Sequence, residues 1–157
     1  RTIYEEDVHV PLLFWFPRRF KAQVRSDVVG SHVDVAPTIV DMLGLPPAPD
    51  WFGRSLLSDQ RTARAYFYVA EDQFRLGVRE GSWKYIYDLR GGIEELYDVD
   101  RDPLESTNLA SAQPERCARL RQRLAAWTEA NRRQYERISA IGAQPLQAAA
   151  QPAHDTH

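Results

Sequence analysis

The sequence predicts an α+β / α/β chain: the end of a mixed sheet, followed by a C-terminal antiparallel β-meander packed by one long helix. Three patterns carry this expectation. Val8 to Pro17 is apolar on both parities, as a strand covered on both faces requires. Between Ala65 and Val99, short aromatic and β-branched runs alternate with turns that carry Gly. From Pro114 to about Ile138 the chain is rich in Arg, Ala, Leu, Gln and Glu, all good helix formers.

The elements follow in order. Val10 to Phe16 is strand-sized, and Pro17 with Arg18 and Arg19 ends it. Ser31-His32-Val33-Asp34-Val35-Ala36-Pro37-Thr38-Ile39-Val40-Asp41-Met42-Leu43-Gly44 reads as a short helix, with Asp34 as N-cap, Pro37 in the first turn and Gly44 just past the end. Pro46, Pro47 and Pro49 then form a rigid joint that can continue neither a helix nor a central strand. The meander comprises runs around Ala65–Ala70, Phe74–Arg79, Trp83–Leu89 and Glu95–Val99, broken by Glu80-Gly81-Ser82 and Arg90-Gly91-Gly92. In the third run Trp83, Tyr85 and Tyr87 share one face, and Lys84, Ile86 and Asp88 the other. Cys117, Leu120, Leu124, Trp127 and Ile138 recur at helical spacing, so the long helix should cover the meander. Its seven arginines outnumber its three glutamates, whereas residues 94–105 carry six acids against one Arg; these runs either face each other or are solvated surface. The expected organisation is a first unit over 1–50, a sheet-plus-helix subdomain over 51–142, and a disordered tail over 143–157, which is too poor in large apolar groups to repay ordering.

Composition narrows the function classes. At 157 residues and 43% hydrophobic content there is enough chain for one ordinary core. A formal charge of -2 supplies no overall basic field for nucleic acid. No apolar run approaches the ~20 residues that a bilayer-spanning helix needs. The single cysteine, Cys117, leaves the redox compartment open. Arg1 to Asp7 reads as the middle of something, and the chain as a piece of a longer protein.

The catalytic inventory is thin. Cys117 falls on the apolar face of the long helix, where a free thiol acts as a small hydrophobe. His154 and His157 lie in the expected tail, leaving His9 and His32. His9 sits at a strand mouth, where ligands of open sheets gather, and its imidazole could meet an anionic ester oxygen or simply a loop carbonyl. His32 reads as part of a helix start, oriented by Asp34. Glu5, Glu6 and Asp7 are oxygen donors suited to a hard cation, but no second ligand cluster accompanies them. No Gly-rich phosphate loop, paired Cys/His metal spacing or nucleophile elbow is present.

Five strings in order carry a resemblance: Tyr4-Glu5-Glu6-Asp7-Val8-His9-Val10-Pro11-Leu12-Leu13-Phe14-Trp15, Ser31-His32-Val33-Asp34-Val35-Ala36-Pro37-Thr38-Ile39, Gly53-Arg54-Ser55-Leu56, Glu80-Gly81-Ser82-Trp83-Lys84-Tyr85-Ile86-Tyr87, and Glu95-Leu96-Tyr97-Asp98-Val99 continuing to Asn108-Leu109. Together they resemble the C-terminal half of sulfatases in the alkaline phosphatase superfamily. The resemblance implies an alkaline-phosphatase-like mixed sheet over 1–50 and a parent hydrolase that cleaves sulfate esters. It also implies a formylglycine nucleophile and a divalent metal (Ca, Mg, Zn or Mn), both supplied by motifs absent from these residues, so the chain alone is expected to be inactive. It makes His9 a candidate substrate contact: many sulfatases carry Arg at the corresponding place, whereas membrane-bound relatives such as phosphoethanolamine transferases often carry His-Val-Pro, where the His faces the substrate or a second metal. A fragment of such a phosphoethanolamine- or phosphoglycerol-type transferase is therefore the alternative reading. The resemblance further suggests a periplasmic, secreted or membrane-attached parent.

Two further expectations stand apart from the resemblance. The aromatic face of Trp83, Tyr85 and Tyr87 is either the core beneath the long helix or the surface of a non-catalytic interaction module, and burial separates the two. The apolar Val10 to Phe16 segment, without sheet neighbours, is expected to make the chain self-associate.

Overall fold

The computed structural model describes residues 2–18, 21–59, 62–70 and 74–149, with the side chains of Ile138 and of residues 140–149 not described. In chain order it contains α1 (Glu5–Val8), a 3-10 turn (His32–Asp34), α2 (Val35–Met42), β1 (Arg64–Val69), β2 (Arg75–Glu80), β3 (Trp83–Asp88), β4 (Glu94–Asp98) and α3 (Pro114–Ala149).

The four strands form one antiparallel sheet in sequence order, the meander the turn chemistry predicts. Gly81 turns β2 into β3 at φ 59, a left-handed conformation that costs a residue without Cβ nothing. Register then sorts the side chains into two faces. Tyr66, Val78, Tyr85 and Leu96 lie directly opposite one another across the sheet, and Ala65, Arg79, Lys84 and Tyr97 form the neighbouring row on the other side.

The first face meets α3. Val78, Tyr85 and Leu96 are buried against Cys117, Leu120 and Leu124, with Trp83, Tyr87 and Trp127 packed around them. Tyr66 stacks on Trp127 at 4.8 Å between centroids, and the Arg116 guanidinium lies 3.9 Å from the Trp83 ring. The aromatic face is therefore core beneath the helix, which removes the surface an interaction module would need. Cys117 is buried, its thiol pushed up in pKa chiefly by desolvation, consistent with a packing role.

The second face meets the start of the chain. Ile3 packs with Ile86, Tyr97 and Val99, flanked by Tyr4, Val8 and Phe67. Gly77 makes room for it: a Cβ there would lie 3.0 Å from Ile3 Cδ1. The Tyr4 and Tyr97 hydroxyls both donate to Glu95 Oε2 at 2.8 Å. Along the outer edge of β4, Asn108 Oδ1 accepts the Leu96 N–H (3.0 Å), and Leu109 N–H donates to the Leu96 carbonyl (2.8 Å), covering groups that an open edge would leave bare.

The structure departs from the sequence expectation in three places. Val10 to Phe16 is not a strand: it is irregular, with Leu13 and Trp15 more than 80% exposed, because among the described residues no neighbouring strand offers it a ladder. The helix α3 continues past Ile138, so 143–149, expected to be disordered, extend it, while 150–157 lie outside the described residues together with His154 and His157. Asp34 does precede α2, with Pro37 third in the helix, but its carboxylate caps the preceding turn instead, accepting the Ser31 N–H at 2.9 Å.

Of the helix arginines, Arg121 reaches Glu94 (2.6 Å) and Arg123 reaches Glu80 (2.9 Å) on the sheet. Arg132 and Arg133 pair with Glu129 along the helix itself. The opposite charges thus meet at Arg121 and Glu94, while Arg116 lies on Trp83, Arg137 pairs with Asp50 and Arg119 is exposed.

Candidate functional site

The site is built on α1, a single turn that forms because Asp7 Oδ2 accepts both the backbone N–H and the hydroxyl of Thr2 at 2.7 Å. His9 terminates that turn. Its N–H donates to the Glu5 carbonyl (2.9 Å), and its side chain, 75% exposed, carries Nδ1 3.7 Å from Glu5 Oε2. Of the two histidines singled out, His9 presents its ring outward at the end of an anchored turn. His32 is exposed in the 3-10 turn, away from this cluster of charges.

Beneath α1 lies a buried ionic cluster. Lys84, 0% exposed and second in β3, places Nζ 3.1 Å from Glu5 Oε1 and 3.0 Å from Glu105 Oε1. The Glu105 contact is an ion pair rather than a directed hydrogen bond. Glu105 also accepts the Glu5 backbone N–H through its other oxygen. Arg79, beside Lys84 on the sheet, donates to Glu5 Oε2 at 2.9 Å and reaches Asp100 at 3.6 Å. The Lys84 ammonium lies over the Phe67 ring, 5.5 Å from its centroid. Burying these charges is affordable only because each meets an opposite one. Glu105 sits at φ 51, a left-handed conformation rare for a residue with a side chain, and its two contacts hold it there.

A second lock fastens α2. The Arg54 N–H donates to Asp34 Oδ1 (2.9 Å), and the Leu56 N–H donates to Thr38 Oγ1 (2.9 Å). Thr38 Oγ1 in turn donates to the Asp34 carbonyl at 2.6 Å, and the Ser55 hydroxyl donates to Asp41. Gly53 comes so close to the turn before α2 that a Cβ on it would fall 1.9 Å from the Val33 carbonyl oxygen.

The five strings thus reduce to two locks. The first, fourth and fifth contribute Glu5, Lys84 and Glu105 to one ionic cluster; the second and third contribute Asp34 and Thr38 to meet Gly53 to Leu56. Sequence reasoning missed Lys84, Arg79 and Glu105. The available signal was Lys84 itself, a charge at the same strand parity as the buried Ile86.

The three acids singled out as cation donors divide. Glu5 is spent on Lys84 and Arg79, Asp7 on Thr2, and Glu6 is exposed. Among the described residues no three His, Cys, Asp or Glu side chains converge to hold a metal ion. The donor set here does not fit one, because the carboxylates of Glu5 and Glu105 already neutralise an ammonium.

A four-stranded antiparallel sheet closed by a long helix, with the Tyr-Glu turn locked under it, is the C-terminal architecture of a sulfatase. The chain belongs to the sulfatases of the alkaline phosphatase superfamily: the family model described as N-sulphoglucosamine sulphohydrolase, C-terminal, matches residues 1–134. It is similar to mouse arylsulfatase K, with 34% identity over 141 residues that make up 78% of this chain and 25% of that one. It is similar also to the N-acetylglucosamine-6-O-sulfatase of Bacteroides thetaiotaomicron, at 32% identity over 125 residues, 69% of this chain and 22% of the relative. Among solved structures, one in complex with its substrate D-glucosamine-2-N,6-O-disulfate superposes with a TM-score of 0.51 at 26% identity, covering 66% of this chain and 24% of that chain. The chain spans about a quarter of the length of these curated relatives.

Proposed function

We propose that this chain is the C-terminal part of an enzyme that hydrolyses sulfate esters with a divalent metal, and that its own contribution is to present His9 to the substrate. The nucleophile and the metal ligands belong to the rest of that enzyme. The observation that carries the reading is the exposed imidazole of His9 at the end of a turn that Glu5 and Asp7 tie to the protein. An N–H donor in that position can hydrogen-bond an anionic ester oxygen, and the Glu5 carboxylate lies beside the ring, 3.7 Å from Nδ1. A metal, when bound in the full enzyme, supplies Lewis-acid stabilisation of the transferring group, and none of the residues described here is assigned to it. The relatives quoted above are sulfatases by name, which favours sulfate over the phosphate-containing substrates of a transferase.

The test uses the full-length enzyme on a chromogenic aryl sulfate with Ca²⁺, Mg²⁺, Zn²⁺ or Mn²⁺, with this 157-residue chain alone as the control. His9→Ala should lower kcat/KM by roughly 10- to 100-fold, the value of a hydrogen bond to a charged group. Unchanged kinetics in that variant, or turnover by the chain alone, would sink the assignment.

A further inference from the structure

We propose that Lys84 is a positioning residue for the reaction, acting on His9 through Glu5, and that this role rests on the reading of His9 as a substrate contact. Lys84 belongs to the sheet subdomain and touches nothing outside the protein, since it is fully buried. Its ammonium holds Glu5 Oε1, leaving Oε2 between Arg79 and the His9 ring. Glu5 in turn fixes His9 twice, by accepting its backbone N–H and by placing a carboxylate oxygen near Nδ1. That arrangement sets Nδ1 on the Glu5 side of a ring whose side chain is 75% exposed. Glu105 completes the frame, since it grips both Lys84 and the backbone N–H of Glu5.

The geometry explains why a strand would carry a charge where a hydrophobe would pack. Lys84→Met keeps about the same volume but leaves the buried Glu5 and Glu105 carboxylates without their shared cation. It would not aim Glu5. The cluster also joins two parts of the chain about 80 residues apart, so the orientation of His9 depends on the sheet subdomain.

The experiment is a double-mutant cycle in the full-length enzyme, with para-nitrophenyl sulfate as the probe and melting temperature measured alongside. Lys84→Met should lower kcat/KM on the order of tenfold, with the loss divided between kcat and KM as it is in His9→Ala. Lys84→Arg should restore part of it. In the His9→Ala background Lys84→Met should add less than about twofold, because the residue it positions is gone. A full, multiplicative loss in that background, or wild-type kinetics in folded Lys84→Met, would overturn the positioning role while leaving His9 as a contact. Wild-type kinetics in His9→Ala would overturn both. If Lys84→Met does not accumulate as folded protein, Glu105→Gln carries the same cycle, since it loosens Lys84 without removing it.

Discussion

Gly53 shows how much a single residue can decide. With a Val33 carbonyl oxygen where its Cβ would be, Gly53→Ala forces backbone apart, and the loop that donates the Arg54 and Leu56 N–H groups to α2 has to move with it. The variant should lose about 2 kcal/mol or more, read as a lower denaturation midpoint with an unchanged slope. Gly44, past the end of α2, has open space around its missing Cβ and makes no comparable demand there. The sequence marks Gly44 as the end of a helix, but the close approach of Gly53 to Val33 leaves no local signal. Lys84 offers the converse case, in which the parity of its strand put it beside a buried Ile86, a warning that its charge needed a partner. The identity of that partner was not legible, because Glu5 and Glu105 lie 79 and 21 residues away and their meeting depends on the sheet's register.

At the scale of the element, α3 is held by one stripe. Leu120 is fully buried over Tyr85 and Leu96, and Leu120→Ala should cost about 2–5 kcal/mol through lost burial and the cavity left behind. The helix's far side behaves differently. Arg132 and Arg133 hold the Glu129 carboxyl down to about 2, yet all three are solvent-exposed, and Arg132→Ala should leave the midpoint within experimental error. The sequence predicted this division, since Cys117, Leu120, Leu124 and Trp127 follow the helical period and the arginines fall between them. The strand expected over Val10 to Phe16 fails for a reason at the same scale. Hydrophobicity marks a segment as buried somewhere, whereas a strand also needs a neighbour to complete its hydrogen bonds.

For the whole molecule, buried phenols set the alkaline limit of stability. Burial, and then hydrogen bonds to acids, raise the Tyr4, Tyr85 and Tyr97 hydroxyls above their ordinary 10.0. The folded state therefore keeps its phenolic protons where the unfolded chain would release them. The stability linked to them is fully present below pH 10 and declines as pH rises above it, which denaturant melts at successive alkaline pH values should record. Glu94 acts at the other end: the Tyr85 hydroxyl, with Arg121, holds it below 4.5, so its contribution is present above that value and fades as the solution is acidified beyond it. The exposed Leu13 and Trp15 lead to a last expectation for this chain by itself. It should self-associate, and light scattering that gives a monomer at high concentration would count against this.

The sequence by itself determined the meander, its turns, the two-faced parity of β3 and the helix that covers one of those faces. These follow from local rules: period 2, period 3.6 and the backbone freedom of Gly. It also supplied five strings whose order marked the family. Only the tertiary structure decided what the strings are for. It brought Glu5, Lys84 and Glu105 to one buried point and set Gly53 against Val33, pairings that depend on how distant segments stack and that leave no period in the chain. His9 stands between the two. Its position before an apolar run singled it out, but its outward ring and its tie to Glu5 come from the charge cluster folded beneath it.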